Sequence, residues 1–237
     1  MILRTKSDFS DIDFNKGEVI LIDKERGFTS FDIVHRMRRL SGVKKVGHAG
    51  TLDPKASGLL IICTGKKTKE ITEYQNLEKT YEGIIAIGNT TPSFDSETEF
   101  NSDSSESAAN ITIEQIEEAK KDFIGAINQV PPMYSALKLN GKALYKYARK
   151  GVTVERAPRP VEIYSFDILK FEFPDIHFRI KCSKGTYIRV IANDLGAKLG
   201  CGAYLKSLRR TQIGSYNVSD AFEVEELKKL LIPNTVN

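Results

Sequence analysis

The segment GHAGTLDPKASGLL, residues 47–60, places one carboxylate, Asp53, in a stiff setting of glycines, a histidine and a proline, directly before an apolar run. Asp-Pro and Gly-Thr pairs are common in surface turns, so an ordinary turn is one interpretation. The other is a strained loop that presents a carboxylate for chemistry. No second acid lies beside Asp53, as a two-carboxylate glycosidase would need. A lone Asp can still act as nucleophile or base if a cation keeps it ionised.

A candidate for that cation lies in the segment CSKGTYIRVIANDLG, residues 182–196. Gly185 and Thr186 mark a strand-to-helix junction, and Arg189 follows within about one turn of the predicted helix. An arginine in such a position is usually a solvated charge. If its face turns inward, however, it needs a carboxylate partner, and bidentate pairing would suit Asp53.

The segment QVPPMYSALKLNGKALYKYARKG, residues 129–151, is both aromatic and basic. Residues 138–159 contain seven basic side chains, with Glu155 as their single acid. Tyrosines are interleaved with them: Tyr134, Tyr145 and Tyr147. Cations for phosphates and rings for base stacking are what a surface for structured RNA needs. Tyr145 could equally belong to the core.

The charge distribution also favours a polyanionic partner. The 237-residue chain has a net charge of +4, but residues 92–118 contain eight acids and no Lys or Arg. The rest of the chain has 35 basic against 23 acidic residues, a net charge of +12. This excess suits a nucleic acid, although a well-solvated surface would also explain it.

Composition excludes several other classes. With 41% hydrophobic and 28% charged residues, no 20-residue apolar stretch and a polar N-terminus, the chain is expected to be soluble and cytoplasmic. Three cysteines and three histidines are scattered, so neither a disulfide framework nor a metal site is expected. No cofactor motif is present, because no Gly-Lys-Ser/Thr follows the glycines at phosphate-loop spacing.

Hydrophobic patterns predict a mixed α+β sheet with flanking helices. Strands are predicted at residues 17–25, 79–88, 161–173 and 175–182, the last with alternating buried residues. Helices are predicted after Thr29, after the Thr112–Gln115 capping box, and at 187–199 before Gly200. The Ser-rich acidic region near 96–110 is expected to be a mobile loop. Strands and helices interleave without a βαβ repeat, which argues against a doubly wound sheet.

Several motifs together resemble the TruB family of tRNA pseudouridine synthases. GHAGTLDPKASGLL is similar to its catalytic motif, and the other matches follow in family order across residues 21–214: LIDKERGFTS, KTYEGIIAIG, QVPPMYSALKLNGKALYKYARKG, CSKGTYIRVIANDLG and GAYLKSLRRTQIG. The chain differs in having Lys24-Glu25 for Lys-Pro and Ser93 for the usual Thr, and in lacking the glycine after Asp95. The resemblance implies the pseudouridine synthase fold, with a large, mainly antiparallel sheet and a central RNA-binding cleft.

The resemblance also implies site residues. Asp53 would be the essential carboxylate, Tyr81 would stack on the flipped base, and Arg189 would pair with Asp53. Substrate contacts are expected from His48, Leu208, Asp95 and Tyr187. Lys24 and Gly27 would buttress the catalytic loop. RNA binding is expected at Lys138, Arg149, Lys150, Arg209 and Arg210.

The expected activity is isomerisation of uridine 55 in the T arm of tRNA, without cofactor or metal. The expected organisation is one catalytic domain over residues 1–237, monomeric, with no C-terminal PUA domain, membrane or protein partner. Two alternatives are a tRNA-folding chaperone and a synthase acting on another RNA. The chaperone would keep its cellular function after Asp53→Asn, whereas the enzyme would lose it.

Overall fold

The computed structural model describes residues 1–2, 4, 12–103, 105–139 and 141–231. Within them the chain forms two compact units. Unit 1 comprises Met1–Tyr81 and Leu208–Asn237, and unit 2 comprises Glu82–Ser207. The boundaries fall inside two strands, so each of these strands contributes to both units.

The elements follow in chain order. The first part contains β1 (Val19–Lys24), α1 (Ser30–Ser41), β2 (Val46–His48), β3 (Ser57–Thr64), a 3₁₀ helix (Gly65–Glu70), α2 (Ile71–Asn76) and β4 (Lys79–Ile87). The middle contains β5 (Asn89–Thr90), β6 (Ser102–Asp103), α3 (Ser105–Ala108), α4 (Ile113–Lys120), a 3₁₀ turn (Lys121–Phe123), β7 (Gly125–Gln129), β8 (Lys138–Leu139), β9 (Lys142–Ala143) and α5 (Tyr145–Ala148). The last part contains β10 (Arg159–Glu172), β11 (Asp175–Cys182), α6 (Ile188–Lys198), β12 (Ala203–Ile213), β13 (Tyr216–Asn217), a 3₁₀ turn (Val218–Asp220) and α7 (Val224–Leu231).

The sheet of unit 1 has the order β1-β3-β12-β4, with β2 also paired to β3. β1 and β3 are nearly continuous apolar runs, as expected of strands that are buried on both faces. Ile20 and Ile22 of β1 lie in one core cluster, with residues of α1 and α7. Val19 and Leu21 lie in a second cluster on the other face. The expected first strand and the Thr29-capped helix are therefore confirmed.

The start of β3 is enclosed between two cationic residues. β1 runs antiparallel to β3 and pairs Lys24 with Gly58, whereas β12 runs parallel to β3 and pairs Arg210 with the same glycine. Residues 49–56, here called the Asp53 loop, lead directly into this point. The register thus places one cation on each side of the strand that follows the loop.

The sheet of unit 2 has the order β12-β4-β11-β10-β7. Its strands are antiparallel where β11 meets β10 and where β10 meets β7. The predicted alternation in β11 is confirmed, since Ile176, Phe178, Ile180 and Cys182 are all fully buried. Since β12 is parallel to β3 in unit 1, the expected α+β class with a mixed, mostly antiparallel sheet is confirmed.

The acidic region differs from the expected loop. β5 and β6 form a short antiparallel pair, and Ser105–Ala108 forms one helical turn. Ala108 is fully buried, and Thr90 Oγ1 donates to Asn101 Oδ1 at 2.7 Å. Backbone pairing and one buried side chain thus order part of a segment whose composition is typical of disorder. Within the described ranges, no helix is long and apolar enough to cross a membrane.

Gly58 is required by its conformation and by its neighbour. Its φ is +105°, and a Cβ there would lie 2.3 Å from the Arg210 carbonyl oxygen. We expect Gly58→Ala to lower the free energy of unfolding by about 3–5 kcal/mol, because backbone strain and overpacking add. Urea unfolding measures the change.

Gly42→Ala is the matched control for this prediction. Gly42 also has a positive φ, +68°, but nothing lies within 4 Å of a Cβ there. Its substitution should therefore cost only about 1–2 kcal/mol. Equal losses in the two variants would contradict the close approach at Gly58.

Candidate active site

The backbone of the Asp53 loop is held by α1 and by the turn before it. Ser30 Oγ accepts a hydrogen bond from Leu52 N at 2.8 Å and lies 3.2 Å from Leu52 O as a donor. Gly27 N donates to Pro54 O at 2.8 Å. Both residues that flank Asp53 are therefore fixed from outside the loop. This is the arrangement of a loop that presents its side chain, rather than of a solvated surface turn.

Lys24 holds the end of the same loop. It is fully buried, and its Nζ donates to the carbonyl oxygens of Ala56 at 2.6 Å, Phe28 at 2.7 Å and Glu25 at 3.0 Å. Burial lowers the pKa of Lys24 to about 8, and the negative charge of Asp53 opposes that shift. This geometry is the buttress that the family resemblance implies for Lys24.

Arg210 holds the other side of the loop. Its side chain is 1% exposed and donates to Leu59 O at 2.8 Å, Gly50 O at 3.2 Å and Thr51 O at 3.5 Å. Arg210 is predicted to bind RNA, but these donors are directed to backbone carbonyls inside the protein. The structure gives Arg210 a role in loop support, and the predicted RNA contact gains no support from it.

Arg209, the neighbour of Arg210, points to a different partner. Its two terminal nitrogens donate to the two carboxylate oxygens of Asp23 at 2.6 and 3.0 Å. This is a bidentate pair on a side chain that is 42% exposed. Arg209 therefore keeps access to solvent, and its predicted contact with RNA stays a prediction.

The other expected site residues of unit 1 lie in its strands. His48 ends β2 and pairs with Ile62 of β3. Burial lowers the pKa of His48, and the positive charge of Arg210 acts in the same direction, so the neutral form is favoured. Tyr81 in β4 is 8% exposed, and Leu208 in β12 is half-buried. Their expected contacts with a flipped base stay predictions.

Unit 2 contains a buried ion pair at the start of α6. Arg189 Nη1 donates to Asp95 Oδ2 at 2.9 Å, and Nη2 donates to the carbonyl oxygen of Tyr134 at 2.8 Å. The Arg189 and Asp95 side chains are 3% and 7% exposed. From the sequence, Arg189 was expected to need a carboxylate partner if its side chain turned inward. The structure shows that the side chain does turn inward and that it has such a partner. The expected pairing with Asp53 concerns residues of different units and stays a prediction.

Asp95 lies in a tight, strained turn. Its Oδ1 accepts hydrogen bonds from Ser93 Oγ at 2.6 Å and Glu97 N at 2.9 Å. Phe94 has a φ of +64°, which is unfavourable for a side chain of this size. The turn directs the carboxylate to Arg189, so its oxygens are satisfied within the protein. The substrate contact expected of Asp95 is a prediction that this geometry leaves untested.

The start of α6 is also held by Gln129, which has no predicted role. The side-chain amide accepts from Tyr187 N at 2.8 Å and donates to Tyr187 O at 3.1 Å. Gln129 is 4% exposed, and Tyr187 is the N-cap of the helix that carries Arg189. The segment QVPPMY therefore contacts both Tyr187 and Arg189. The signal available in the sequence was a glutamine two residues before a pair of prolines, at a strand end.

The three remaining candidates for RNA binding lie on the surface of unit 2. Lys138, Arg149 and Lys150 are all exposed. The Arg149 guanidinium lies 5.4 Å from the Tyr145 ring and 3.5 Å from the Glu97 carboxylate. Tyr145 is half-buried, which is intermediate between the stacking and core interpretations. The contact of these three residues with RNA stays a prediction.

Metal ligation has no candidate in the part of the chain that the structure describes. Its His, Cys, Asp and Glu side chains form no group of three or more that could hold an ion. In unit 1, the charge of the Asp53 carboxylate acts on the buried ammonium group of Lys24.

Lys24 is expected to make stability depend on pH in a defined window. Its pKa is about 8 in the folded protein against 10.5 normally, so between these values the unfolded chain binds the extra proton. Stability should therefore rise with pH there. Relative to Lys24→Met, the wild type should gain about 2 kcal/mol between about pH 7.5 and about pH 10. The measurement is urea unfolding of both proteins, because the contributions of all other titrating groups cancel in the difference between their free energies of unfolding. A difference that does not change with pH would contradict a buried ammonium group with a lowered pKa.

Arg189→Lys should lower the free energy of unfolding by about 2–3 kcal/mol. A lysine cannot bridge Asp95 and the Tyr134 carbonyl with a planar fork, which leaves a buried carboxylate poorly paired. Arg179→Lys is the control, because Arg179 pairs with Glu82 at 2.8 Å on the surface of the same unit. That change should cost under about 1 kcal/mol. Similar losses in both variants would show that burial does not strengthen the Arg189 pair.

Comparison with known proteins places these residues in a family. The model of the TruB family pseudouridylate synthase N-terminal domain matches residues 38–188. The model of the tRNA pseudouridylate synthase B C-terminal domain matches residues 189–235. A tRNA pseudouridine synthase B of Chloroherpeton thalassium is 48% identical, with 91% of each chain covered. That of Phocaeicola vulgatus is 46% identical, with 93% of this chain and 95% of the relative covered.

Solved structures show the same fold. The chain resembles one in a Cbf5-Nop10-Gar1 complex at 29% identity and a TM-score of 0.66, over 86% of this chain and 50% of the other. It also resembles one in an H/ACA RNP bound to a substrate RNA containing 2'-deoxyuridine, at 25% identity and 0.67. That match covers 91% of this chain and 53% of the other, so this chain spans about half the length of each. On the family models and the curated relatives together, the chain belongs to the TruB family of pseudouridylate synthases.

Proposed function

We propose that the protein isomerises uridine to pseudouridine in tRNA, at position 55 of the T arm. The observation that carries the proposal is the Asp53 loop, a single carboxylate whose flanking residues are fixed by the Ser30 hydroxyl and the Gly27 backbone N–H. The buried cations of Lys24 and Arg210 hold the two ends of the same loop. Relatives that are 44–48% identical over about 90% of the chain are tRNA pseudouridine synthases B. Their activity is the one that we assign to this chain.

The reaction explains why one rigid carboxylate is enough. In the isomerisation the bond between ribose C1' and uracil N1 breaks, the base turns, and C1' bonds to C5, which releases the C5 proton while N1 gains one. Atoms and electrons balance without an oxidant or a second substrate. Asp53 would act by attacking the sugar, by attacking the ring, or by removing a sugar proton, and the three remain alternatives.

The other residues receive roles in binding and positioning. Tyr81 would stack on the uracil ring, and its hydroxyl could assist removal of the C5 proton. Leu208 would give the ring an apolar contact. His48 would occupy space that the nucleotide leaves when it flips, because chemistry on a stacked base requires its extrusion. The neutral form favoured at His48 suits contact with RNA bases, since it needs no counterion.

Arg189 would keep Asp53 ionised and aimed, in addition to its bond to Asp95. Lys138, Arg149 and Lys150 would contact phosphates, because all three are exposed cations and the Arg149 guanidinium lies 5.4 Å from the Tyr145 ring. A monomer with a single catalytic domain that acts on cytoplasmic tRNA is part of the same proposal. The exposed, basic and aromatic surface would also suit a tRNA-folding chaperone, so the test must separate binding from chemistry.

Asp53→Asn should abolish turnover and leave RNA affinity close to wild type. Asn has the same shape but cannot serve as nucleophile or base, and such a group contributes at least about a hundredfold in rate. The measurement is pseudouridine in a tRNA transcript, mapped by mass spectrometry, with binding of the same transcript measured in parallel. Asp122→Asn is the control, because Asp122 is an exposed carboxylate paired with Lys198.

Three results would contradict parts of this proposal. Turnover of Asp53→Asn within about tenfold of wild type, near 1.4 kcal/mol, would remove Asp53 from the mechanism. Pseudouridine at a position other than 55 would correct the substrate site. If Asp53→Asn restores tRNA folding as well as the wild type does in cells that lack the protein, the chaperone is favoured.

A further inference from the structure

One face of α1 carries cations and exposed rings that the proposed chemistry does not use. The residues of this face that lie in the helix are Phe31, His35, Arg38 and Arg39, which are spaced by four, three and one along the chain. This spacing puts them on a common side, away from the buried Ile33, Val34 and Met37. Two exposed lysines follow the helix end at Gly42. We call this set the α1 basic face: Phe31, His35, Arg38, Arg39, Lys44 and Lys45.

The rings of this face are arranged for stacking rather than for folding. Phe31 is 57% exposed, so its ring contributes little to the core. The His35 ring meets it edge-on at 4.5 Å, and the Arg38 guanidinium carbon lies 5.8 Å from its centroid. An exposed ring beside a cation offers a surface on which an unpaired base can stack.

The positive charge of the face is not neutralised locally. Residues 33–52 contain five basic side chains and no Asp or Glu. Asp32, the acid that precedes them, is used in the helix cap, where it accepts from Thr29 N at 2.7 Å and Thr29 Oγ1 at 2.6 Å. Among the described residues, Arg39, Lys44 and Lys45 form no ion pair. A polyanion would therefore gain from contact with this face.

The face is built on the element that also holds the Asp53 loop. Arg38 Nη2 donates to the carbonyl oxygen of Val46 at 3.3 Å, which joins α1 to β2 just before the loop. At the other end of the helix, Ser30 holds Leu52 inside the loop. All of these residues belong to unit 1. RNA bound on α1 would thus be anchored to the support of the proposed catalytic carboxylate.

We propose that the α1 basic face binds the RNA substrate. Arg39, Lys44 and Lys45 contact phosphates, and Phe31 stacks on an unpaired base. The proposal rests on the proposed function for the identity of the substrate as tRNA. It adds a binding surface in unit 1 to the cations of residues 138–150 in unit 2.

The charge contribution is tested by the triple variant Arg39→Glu, Lys44→Glu and Lys45→Glu. Binding of a tRNA transcript is measured at several salt concentrations. We expect the Kd to rise at least about tenfold and the slope of log Kd against log salt to fall by about two to three, because each lost phosphate contact removes about 0.7–0.9. The kcat at saturating tRNA should stay within about twofold of wild type, since no catalytic group is changed.

A second triple variant controls for net charge: Lys16→Glu, Lys170→Glu and Lys198→Glu. These lysines are exposed and already paired with the carboxylates of Asp13, Glu172 and Asp122. Their reversal changes the charge of the protein equally, but it should raise the Kd by less than about threefold. Glutamine variants of Arg39, Lys44 and Lys45 replace the first triple variant if charge reversal impairs folding, as judged by thermal unfolding.

The stacking contribution is tested by Phe31→Leu, which keeps an apolar side chain on the helix but removes the ring. We expect the Kd for tRNA to rise at least about fivefold, in the range of one lost base–ring contact. Phe100→Leu is the control, because Phe100 is 59% exposed and also packs on a ring, that of Tyr204 at 5.2 Å, but lies in the acidic region that contains no Lys or Arg. Its Kd should stay within about twofold of wild type.

The proposal is overturned if the triple variant of Arg39, Lys44 and Lys45 has a Kd within about threefold of that of the control triple variant. The α1 basic face would then be assigned to another partner, such as an acidic protein. This failure is distinct from failure of the proposed function. If the wild type binds tRNA but forms no pseudouridine, the function is wrong, whereas the Kd comparison still tests the α1 basic face.

Discussion

The geometry of unit 1 depends on two buried cations that hydrogen-bond to backbone carbonyls around the Asp53 loop. Lys24 donates to the carbonyl at the end of the loop, and Arg210 donates to carbonyls near its beginning and on β3. A buried ammonium or guanidinium group is costly unless its donors are paired. The loop supplies those acceptors, and the cations satisfy its carbonyls. Neither is stable in this conformation without the other, so the loop and the strand register are set together.

In unit 2 the buried cation is paired with an anion as well as with a backbone carbonyl. Arg189 is buried between the Asp95 carboxylate and the Tyr134 carbonyl, while Ser93 and the Glu97 backbone satisfy the remaining carboxylate oxygen. The positive φ at Phe94 is tolerated because this network over-determines the turn. Rigid polar networks of this kind would suit the proposed reaction on a flipped base, since catalytic geometry must be in place before the substrate arrives.

Binding and chemistry use different kinds of surface in this protein. The backbone of the Asp53 loop and the side chain of Arg189 are held by short, buried hydrogen bonds, whereas the groups assigned to RNA binding are mostly exposed cations. Exposed cations can follow an RNA backbone without changing the buried networks. The α1 helix joins the two functions, because its buried side supports the loop and its outer side carries unneutralised charge.

Features that depend on neighbouring residues could be predicted from the sequence. Continuous apolar runs indicated β1, the alternation in β11 indicated its buried face, and the capping box at Thr112 marked the start of α4. The motif order likewise indicated the family and singled out Asp53. These signals are local, because helix caps and strand faces are decided within a few residues.

The burial of Arg210 and the bond from Gln129 to Tyr187 could not be predicted in this way. Adjacent arginines in one strand have the same local sequence, yet Arg209 faces a surface carboxylate and Arg210 the interior. The partners of Arg210, Arg189 and Gln129 lie 151, 94 and 58 residues away along the chain. Only the pairing of distant strands brings such groups within hydrogen-bonding distance, and a buried charge takes its role from those groups.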